Sequence, residues 1–500
     1  MKRLLQHPFL QSYLCLFIGM ALLILTGSKW HIGLVTWIYP ILLLRFLALR
    51  KGGWNLLLFF VLFYFAIKFA YSGAVPVPGI AGLMVLLLIT SFVSFPYFVH
   101  TFTYRPEAFW TTLVLPVTLV ASEFALSFGP YGTWGSIANS QYGDKILLQL
   151  ASLTGEWGIT FVIGWTASVA NWLWSNSFQK ATLLKLKGYF AFMAFVLVFG
   201  LVRWLVPQTT DEKVKVAGVA VKMSWGDFNM DELSKDTLNP KFEPQRHHLL
   251  QLADQWLSMA SKEGKKGANI VVGAEGNILL LKKDEHAFLE KAMAVAKQEN
   301  IYLFLGMGVP VAGKMPFSVE NKVVIVSPEG RVLYQYYKSN PVPGEPCIKG
   351  NGVLPVIQSP YGRLSTVICY DADFPGLVKQ AGEKKIDLLV IPANDWQEIS
   401  PFHTRMALFR GIENGTSVIR ETTHGLAAIA DASGTVLASK NYFDTGDLIM
   451  EAELPIQGKW TLYPIVGDAF AWLCCLSVCI LGIIAIFQFI GKKMKQRAHA

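Results

Sequence analysis

Charge is scarce in this sequence: Asp, Glu, Lys and Arg make up only 16% of its 500 residues, against roughly 25% in an ordinary soluble chain. Hydrophobic residues reach 53%, which excludes a water-soluble globule of this length and implies a membrane protein. Cysteine is sparse, with six in all. No Cys-x-x-Cys or His-Glu-x-x-His spacing occurs, which speaks against a zinc site. No Ala-x-Ala cleavage site follows the apolar stretch after Met1-Lys2-Arg3, so that stretch reads as a retained first helix and not a signal peptide. The residues ask for no metal or other cofactor. The net charge of +9 owes much to the flanks of apolar segments, where anionic headgroups would meet it. Nothing in it asks for nucleic acid.

What the sequence does have is long apolar runs. Stretches 9–26, 34–49, 56–70, 80–100, 109–128, 158–174, 188–206 and 465–490 approach or exceed the roughly 20 residues needed to cross hydrocarbon. Seven are early and one is late, so a large polar block lies between them. The expected organisation is helices over 1–206, an exported domain over 207–464, a last helix over 465–490 and a basic tail over 491–500. Lys2 and Arg3, Arg50 and Lys51, Arg105, Lys180, Lys185 and Lys187, and Lys492, Lys493, Lys495 and Arg497 fall on one side if eight helices alternate. The positive-inside rule then puts both termini in the cytoplasm and the polar block outside.

Within that block the pattern changes to strands and helices. Strands are expected at 213–221, 269–273, 301–306, 321–327 and 331–337, in a run ending at Cys369, and at 386–392, 416–420, 426–431 and 435–438. Helices are expected at 284–300, 374–382 and 401–414. Alternation closed by hairpins, as at Pro328-Glu329-Gly330, indicates a layered α/β domain.

Three residues at strand ends carry the chemistry. Cys369 closes an apolar run and is followed by Asp-Ala-Asp-Phe-Pro, where a thiol can emerge at a turn. The alternative is one more small buried hydrophobe. A thiol needs a base or a nearby cation to react at neutral pH. Glu275, among glycines after 270–273, is the candidate base, and Lys338 is a candidate oxyanion stabiliser. Cys347 and Cys369 share the exported block, so a disulfide between them is the competing reading.

Glu, Lys and Cys in this order resemble the trio of the nitrilase superfamily. The whole chain resembles the apolipoprotein N-acyltransferase family, through LQLASLTGEWGITF (148–161), VICYDADFP (367–375), Asn394-Asp395-Trp396, RMALFRGIEN (405–414) and TLYPIVGD (461–468). The resemblance implies a bundle of about eight transmembrane helices joined to an αββα nitrilase-like domain, in a bacterial inner membrane with that domain periplasmic. It also implies transfer of an acyl chain from phospholipid, through a cysteine thioester, to the α-amino group of a lipoprotein's diacylglyceryl-cysteine. Glu275 would be general base, Cys369 nucleophile and Lys338 oxyanion stabiliser. Glu345 would be a second acid, Tyr370 and Asp371 a Tyr-acid pair, and Trp225 an aromatic near the substrate entrance. No cofactor is implied, and a monomer is expected. The family usually places Trp-Pro before its base, where this chain has Gly273-Ala274.

Three other readings compete. A membrane-tethered amidase, or an acyltransferase with another acceptor, would share the trio. A papain-like enzyme would pair Cys369 with His403 or His424. A transporter or scaffold would draw on the intramembrane charges Lys68 and Glu123. The run Leu279-Leu280-Leu281, with Trp225, is a candidate cover for the lipid's route to the thiol, and ordinary core is its alternative.

Overall fold

The computed structural model describes residues 8–498 apart from 76, 78, 207–210, 234, 236–239 and 312–316. Met1, Lys2, Arg3 and Pro207 therefore lie outside the described residues. The chain divides into two compact units, Met1–Gly200 with Val466–Ala500, and Leu201–Ile465.

Each expected apolar stretch is helical among the described residues: Pro8–Ile24, Gly33–Leu49, Gly53–Ala70, Gly79–Thr103, Val114–Ser127 after a tight turn at Phe109–Leu113, Trp157–Ser175, Lys187–Leu205 and Ala469–Ala498. Five helical segments among the described residues are long and apolar enough to cross a membrane, by length and composition, while Phe9–Ile24 and Gly33–Leu49 are shorter. Aromatic and aliphatic side chains such as Tyr39, Phe59, Phe63 and Tyr97 are buried in one cluster. Lys68 is exposed near its helix's end. Glu123 is buried and accepts hydrogen bonds from the Ser136 hydroxyl (2.9 Å), the Thr160 hydroxyl (2.7 Å) and the Ile137 N–H (3.0 Å). Glu123 thus fastens the segment that follows its own helix.

The second unit is built from two sheets. One runs edge to edge as Leu448–Pro455, Lys213–Ala220, Ile270–Gly273, Tyr302–Pro310, Val319–Val326 and Val332–Tyr337, with Ile278–Leu279 beside Tyr302–Pro310. The other runs Val436–Asn441, Leu426–Ala430, Ser417–Arg420, Leu388–Val390, Gly362–Thr366 and Ile357–Ser359. Both are mixed: Lys213–Ala220, Ile270–Gly273 and Tyr302–Pro310 are parallel to one another, as are Gly362–Thr366, Leu388–Val390 and Ser417–Arg420, and the outer pairs are antiparallel. Of the parallel strands, Ile270–Gly273, Tyr302–Pro310 and Leu388–Val390 read as unbroken apolar runs, as expected where both faces of a strand are covered. Glu243–Lys265 and Lys282–Glu299 pack on the first sheet through Trp256, Phe288 and Ala292. Phe402–Asn414 packs on Ser417–Arg420 and Leu426–Ala430 of the second. The strand expected to end at Cys369 ends at Thr366.

The run Leu279-Leu280-Leu281 covers no lipid route. Its residues are only 2%, 1% and 6% exposed, Leu280 belongs to the main core of the unit, and Leu279 and Leu281 pack with Met223 and Phe228. An apolar run beside a sheet finds more area to bury inside than at a surface. Leu280→Ala should therefore cost about 2–5 kcal/mol of stability, read as a lower denaturation midpoint of the second unit. A midpoint equal to wild type would return the run to the surface.

Candidate active site

The three residues at strand ends come together in the second unit. Glu275 follows Ile270–Gly273, and its backbone N–H donates to the Ala393 carbonyl at 3.2 Å. The preceding Gly273 has no side chain where the Trp256 indole stands: a Cβ there would lie 3.0 Å from the ring. An aromatic from helix Glu243–Lys265 thus fills the space beside the base. Trp225 covers the other side, with its Nε1–H donating to the Gly276 carbonyl at 3.0 Å. Gly276 has φ +59, a conformation that suits glycine.

Glu275 is 5% exposed and its carboxylate is well supplied with donors. Oε1 accepts from Asn321 Nδ2 (2.6 Å) and Lys338 Nζ (2.8 Å), and Oε2 accepts from the Asn394 N–H (2.9 Å). Lys338, 2% exposed, also donates to Glu345 Oε2 at 2.7 Å. Burial would pull the Lys338 pKa down, but the charges of Glu275 and Glu345 outweigh it and hold the ammonium protonated. Glu345 further accepts from the Val342 N–H (2.9 Å), Asn321 Nδ2 (3.0 Å) and the Cys347 thiol (2.9 Å). Asn321 therefore bridges both carboxylates.

Cys369 opens the turn Cys369–Asp373 at φ +45, the left-handed region that costs a non-glycine residue about 1–3 kcal/mol. Its N–H donates to the Pro392 carbonyl at 2.8 Å, and Sγ lies 3.9 Å from the Asn394 carbonyl. Burial and then the Glu275 charge push the thiol's pKa up, while Lys338 pulls against them. The resting sulfur is thus a thiol that needs a base. Cys347 and Cys369 are both free, so the disulfide reading fails. The two thiols have different partners, Glu345 and the Asn394 carbonyl.

The supporting residues divide. Asp371 accepts from the Asn340 N–H (2.6 Å), the Ser339 N–H (3.1 Å), the Ile368 N–H (3.1 Å) and the Tyr336 hydroxyl (2.9 Å). It thereby ties the segment after Lys338 to the turn that carries Cys369. Burial lifts its pKa to about 6 while those donors hold it back. Tyr370 is buried and packs its ring edge-on against Phe374 at 5.5 Å.

Cys369, Asp395 and His403 bring ligand-type atoms within 4.8 Å of one another, yet the set does not suit a metal. His403 Nε2 lies 3.0 Å from Asp373 Oδ1 and Nδ1 2.7 Å from Asp395 Oδ1. Arg420 Nη2 sits 2.8 Å from Asp395 Oδ1, where its guanidinium would repel an added cation. The same contacts leave His403 no lone pair for Cys369, so the papain-like pairing fails there. His424 faces Asn394 Oδ1 at 3.0 Å and packs at a tilt of 39° against Tyr442 with ring centroids 4.5 Å apart.

Asn321, Asp373 and Arg420 are site residues that the sequence does not single out. Asn321 stands between Glu320 and Lys322 in the strand Val319–Val326, so its polarity alone does not mark it out.

Residues 240–458 match the carbon-nitrogen hydrolase family, and residues 18–169 match the N-terminal domain of apolipoprotein N-acyltransferases. An apolipoprotein N-acyltransferase of Geobacter metallireducens is 22% identical, covering 82% of this chain and 81% of its own. Another from Bradyrhizobium diazoefficiens is 25% identical, with 76% and 74% covered. Among solved structures, an amidase from Nesterenkonia sp. is similar over 51% of this chain and 94% of its own, at 16% identity and a TM-score of 0.38. By the family match over residues 240–458, the second unit, which holds the Glu-Lys-Cys cluster, belongs to the carbon-nitrogen hydrolase class. With the N-terminal match and relatives aligned along most of their length, the chain belongs to the apolipoprotein N-acyltransferase family.

Proposed function

We propose that the protein moves a fatty acyl chain from phospholipid, through a thioester on Cys369, to the α-amino group of the diacylglyceryl-cysteine that begins an apolipoprotein. The observation that carries this reading is the meeting of a carboxylate, an ammonium and a buried thiol in a chain whose N-terminal residues match an acyltransferase domain. Glu275 has three donors on its carboxylate, and a carboxylate has about four acceptor positions, so one stays available for the thiol proton. The thiolate attacks the phospholipid ester carbonyl. Lys338 spends two of its three N–H donors on Glu275 and Glu345, and the third, with a backbone N–H of the Cys369 turn, stabilises the oxyanion. Glu275 returns the proton to the departing lysophospholipid alcohol. In the second half, the acceptor amine attacks the thioester, Glu275 takes its proton, and the thiol is regenerated. Glu345 holds Lys338 in place.

The residues act in a monomer of a bacterial inner membrane, with helices over 1–206 and 465–490, a periplasmic domain over 207–464 and both termini cytoplasmic. The excess of Lys and Arg on one side of the alternating helices supports that orientation. No cofactor takes part. An amidase or an acyltransferase with a different acceptor would use the same cluster, and the N-terminal match favours the lipoprotein acceptor.

Full-length protein given phospholipid vesicles and a diacylglyceryl-cysteine peptide should return a triacylated peptide by mass spectrometry. The same peptide with its α-amine acetylated should gain nothing. Acyl gain by the acetylated peptide, or hydrolysis without transfer, would favour the other acceptors.

A further inference from the structure

A histidine that the chemistry above does not use stands behind the nucleophile. His403 begins its helix at Phe402–Asn414, is 1% exposed, and its partners Asp373, Asp395 and Arg420 are at most 5% exposed. Asp373 closes the turn that Cys369 opens. Asp395 follows Ala393–Asn394, the segment whose Ala393 carbonyl accepts from the Glu275 N–H and whose Asn394 N–H donates to Glu275 Oε2. The imidazole therefore spans the piece of chain bearing the nucleophile and the piece holding the base.

We propose that His403 is a positioning residue, a brace between Asp373 and Asp395 that fixes the Cys369 turn against the backbone that holds Glu275. Both contacts require a proton. A lone pair on Nδ1 facing Asp395 Oδ1 at 2.7 Å, or on Nε2 facing Asp373 Oδ1 at 3.0 Å, would be repelled, and the imidazolium gives each carboxylate an N–H donor. Arg420 Nη2, 3.0 Å from Nδ1, shares the Asp395 acceptor. Imidazolium and guanidinium then face two carboxylates, and the Cys369 thiol lies within 4.8 Å of the imidazole and of Asp395. Burial alone would lower the His403 pKa, but Asp373 and Asp395 overcome it and lift it to about 9. Asp395 is held low, at about 2, by Arg420 and His403 against its own burial.

The sign follows from the raised value. The folded pKa of about 9 exceeds the ordinary histidine value of 6.5, so the brace's stabilisation is complete below about pH 6.5 and is lost as pH rises through 9. Loss of the His403 proton removes the imidazole's N–H from one of the two carboxylates, and that end of the brace is lost.

The inference rests on Cys369 being the nucleophile, but its test needs neither acyl donor nor acceptor. Alkylation of Cys369 by iodoacetamide is followed on the full-length protein by the mass of the Cys369 peptide, from pH 6.5 to 10. His403→Gln should slow alkylation about 10- to 100-fold at pH 7, the scale of a misplaced reacting group. Wild-type reactivity should fall as pH passes 9 relative to the profile of the variant, which lacks that limb. Asp373→Asn keeps the imidazole and removes only the end on the nucleophile's turn, and it should slow alkylation similarly. Wild-type rates and an unchanged pH profile in either folded variant overturn the proposal. If neither variant folds, the wild-type unfolding midpoint should drop between pH 7.5 and 9.5, and a midpoint flat across that range overturns it as well.

Discussion

Cys369→Ala should give no acyl-enzyme at all when the protein meets phospholipid vesicles, while Cys347→Ala should keep forming one. Both residues are free thiols in the second unit, and both pKa values are raised by burial first and a nearby carboxylate next. Their geometry separates them. The Cys347 thiol donates to Glu345 Oε1 at 2.9 Å, a carboxylate already tied to Lys338, so removing its proton would set a thiolate against that charge. Cys369 sits in the left-handed region at the start of its turn, its Sγ near the Asn394 carbonyl, with the Glu275 and Lys338 charges acting on it. A thioester adduct is released by neutral hydroxylamine, which separates it from amide or oxygen-ester modification. Intact mass before and after hydroxylamine therefore reads the site directly. A hydroxylamine-labile acyl adduct persisting in Cys369→Ala would falsify the assignment, and its loss in Cys347→Ala would move the nucleophile.

How far this site is legible in the sequence depends on distance along the chain. Glu275, Lys338 and Cys369 each follow a strand that local apolar patterning reveals, so they stand out one by one. Their partners do not. Asn321 meets Glu275 across 46 positions, and His403 meets Asp373 across 30, separations that no periodicity encodes. His403 is visible as a candidate base, but the two carboxylates that exclude it from that task are visible only in the fold. The same limit applies to the sheets. Runs of three or more apolar residues mark Ile270–Gly273, Tyr302–Pro310 and Leu388–Val390, whereas Ile278–Leu279, Ala393–Asn394 and Thr422–Thr423 are two residues long and form only because neighbouring chain offers them partners. Leu279-Leu280-Leu281 shows the converse error: an apolar triplet beside a catalytic acid suits a surface cover or a core equally until burial decides. Helix Glu243–Lys265 has Leu249, Ala253, Trp256, Leu257 and Ala260 on its buried face, a helical spacing diluted by a polar majority.

Glu275→Ala and Lys338→Ala should each remove nearly all turnover, about 10³-fold or more, and the double variant should lose little beyond either one. The two side chains are in contact at 2.8 Å and are linked again through Asn321, which donates to Glu275 and to Glu345, and Glu345, which accepts from Lys338, so each variant disables one shared device and the losses cannot add. Removing Lys338 also strands the Glu275 charge in a buried site, where an unpaired ion costs several kcal/mol, whereas Glu275→Ala leaves Lys338 its ion pair with Glu345. Softer substitutions separate the roles. Glu275→Gln keeps the volume and an oxygen for Lys338 but cannot take a proton, so iodoacetamide should label Cys369 slowly while the fold persists. Lys338→Met keeps the stem, removes the ammonium and leaves Glu275 to take the thiol's proton. Its labelling should stay within a few-fold of wild type, while acyl transfer falls by about 10²–10³-fold, the loss expected for one oxyanion donor. Wild-type labelling in Glu275→Gln would remove the base from its role. Labelling and transfer falling equally in Lys338→Met would make the lysine a support for Glu275 and leave the oxyanion to backbone donors alone.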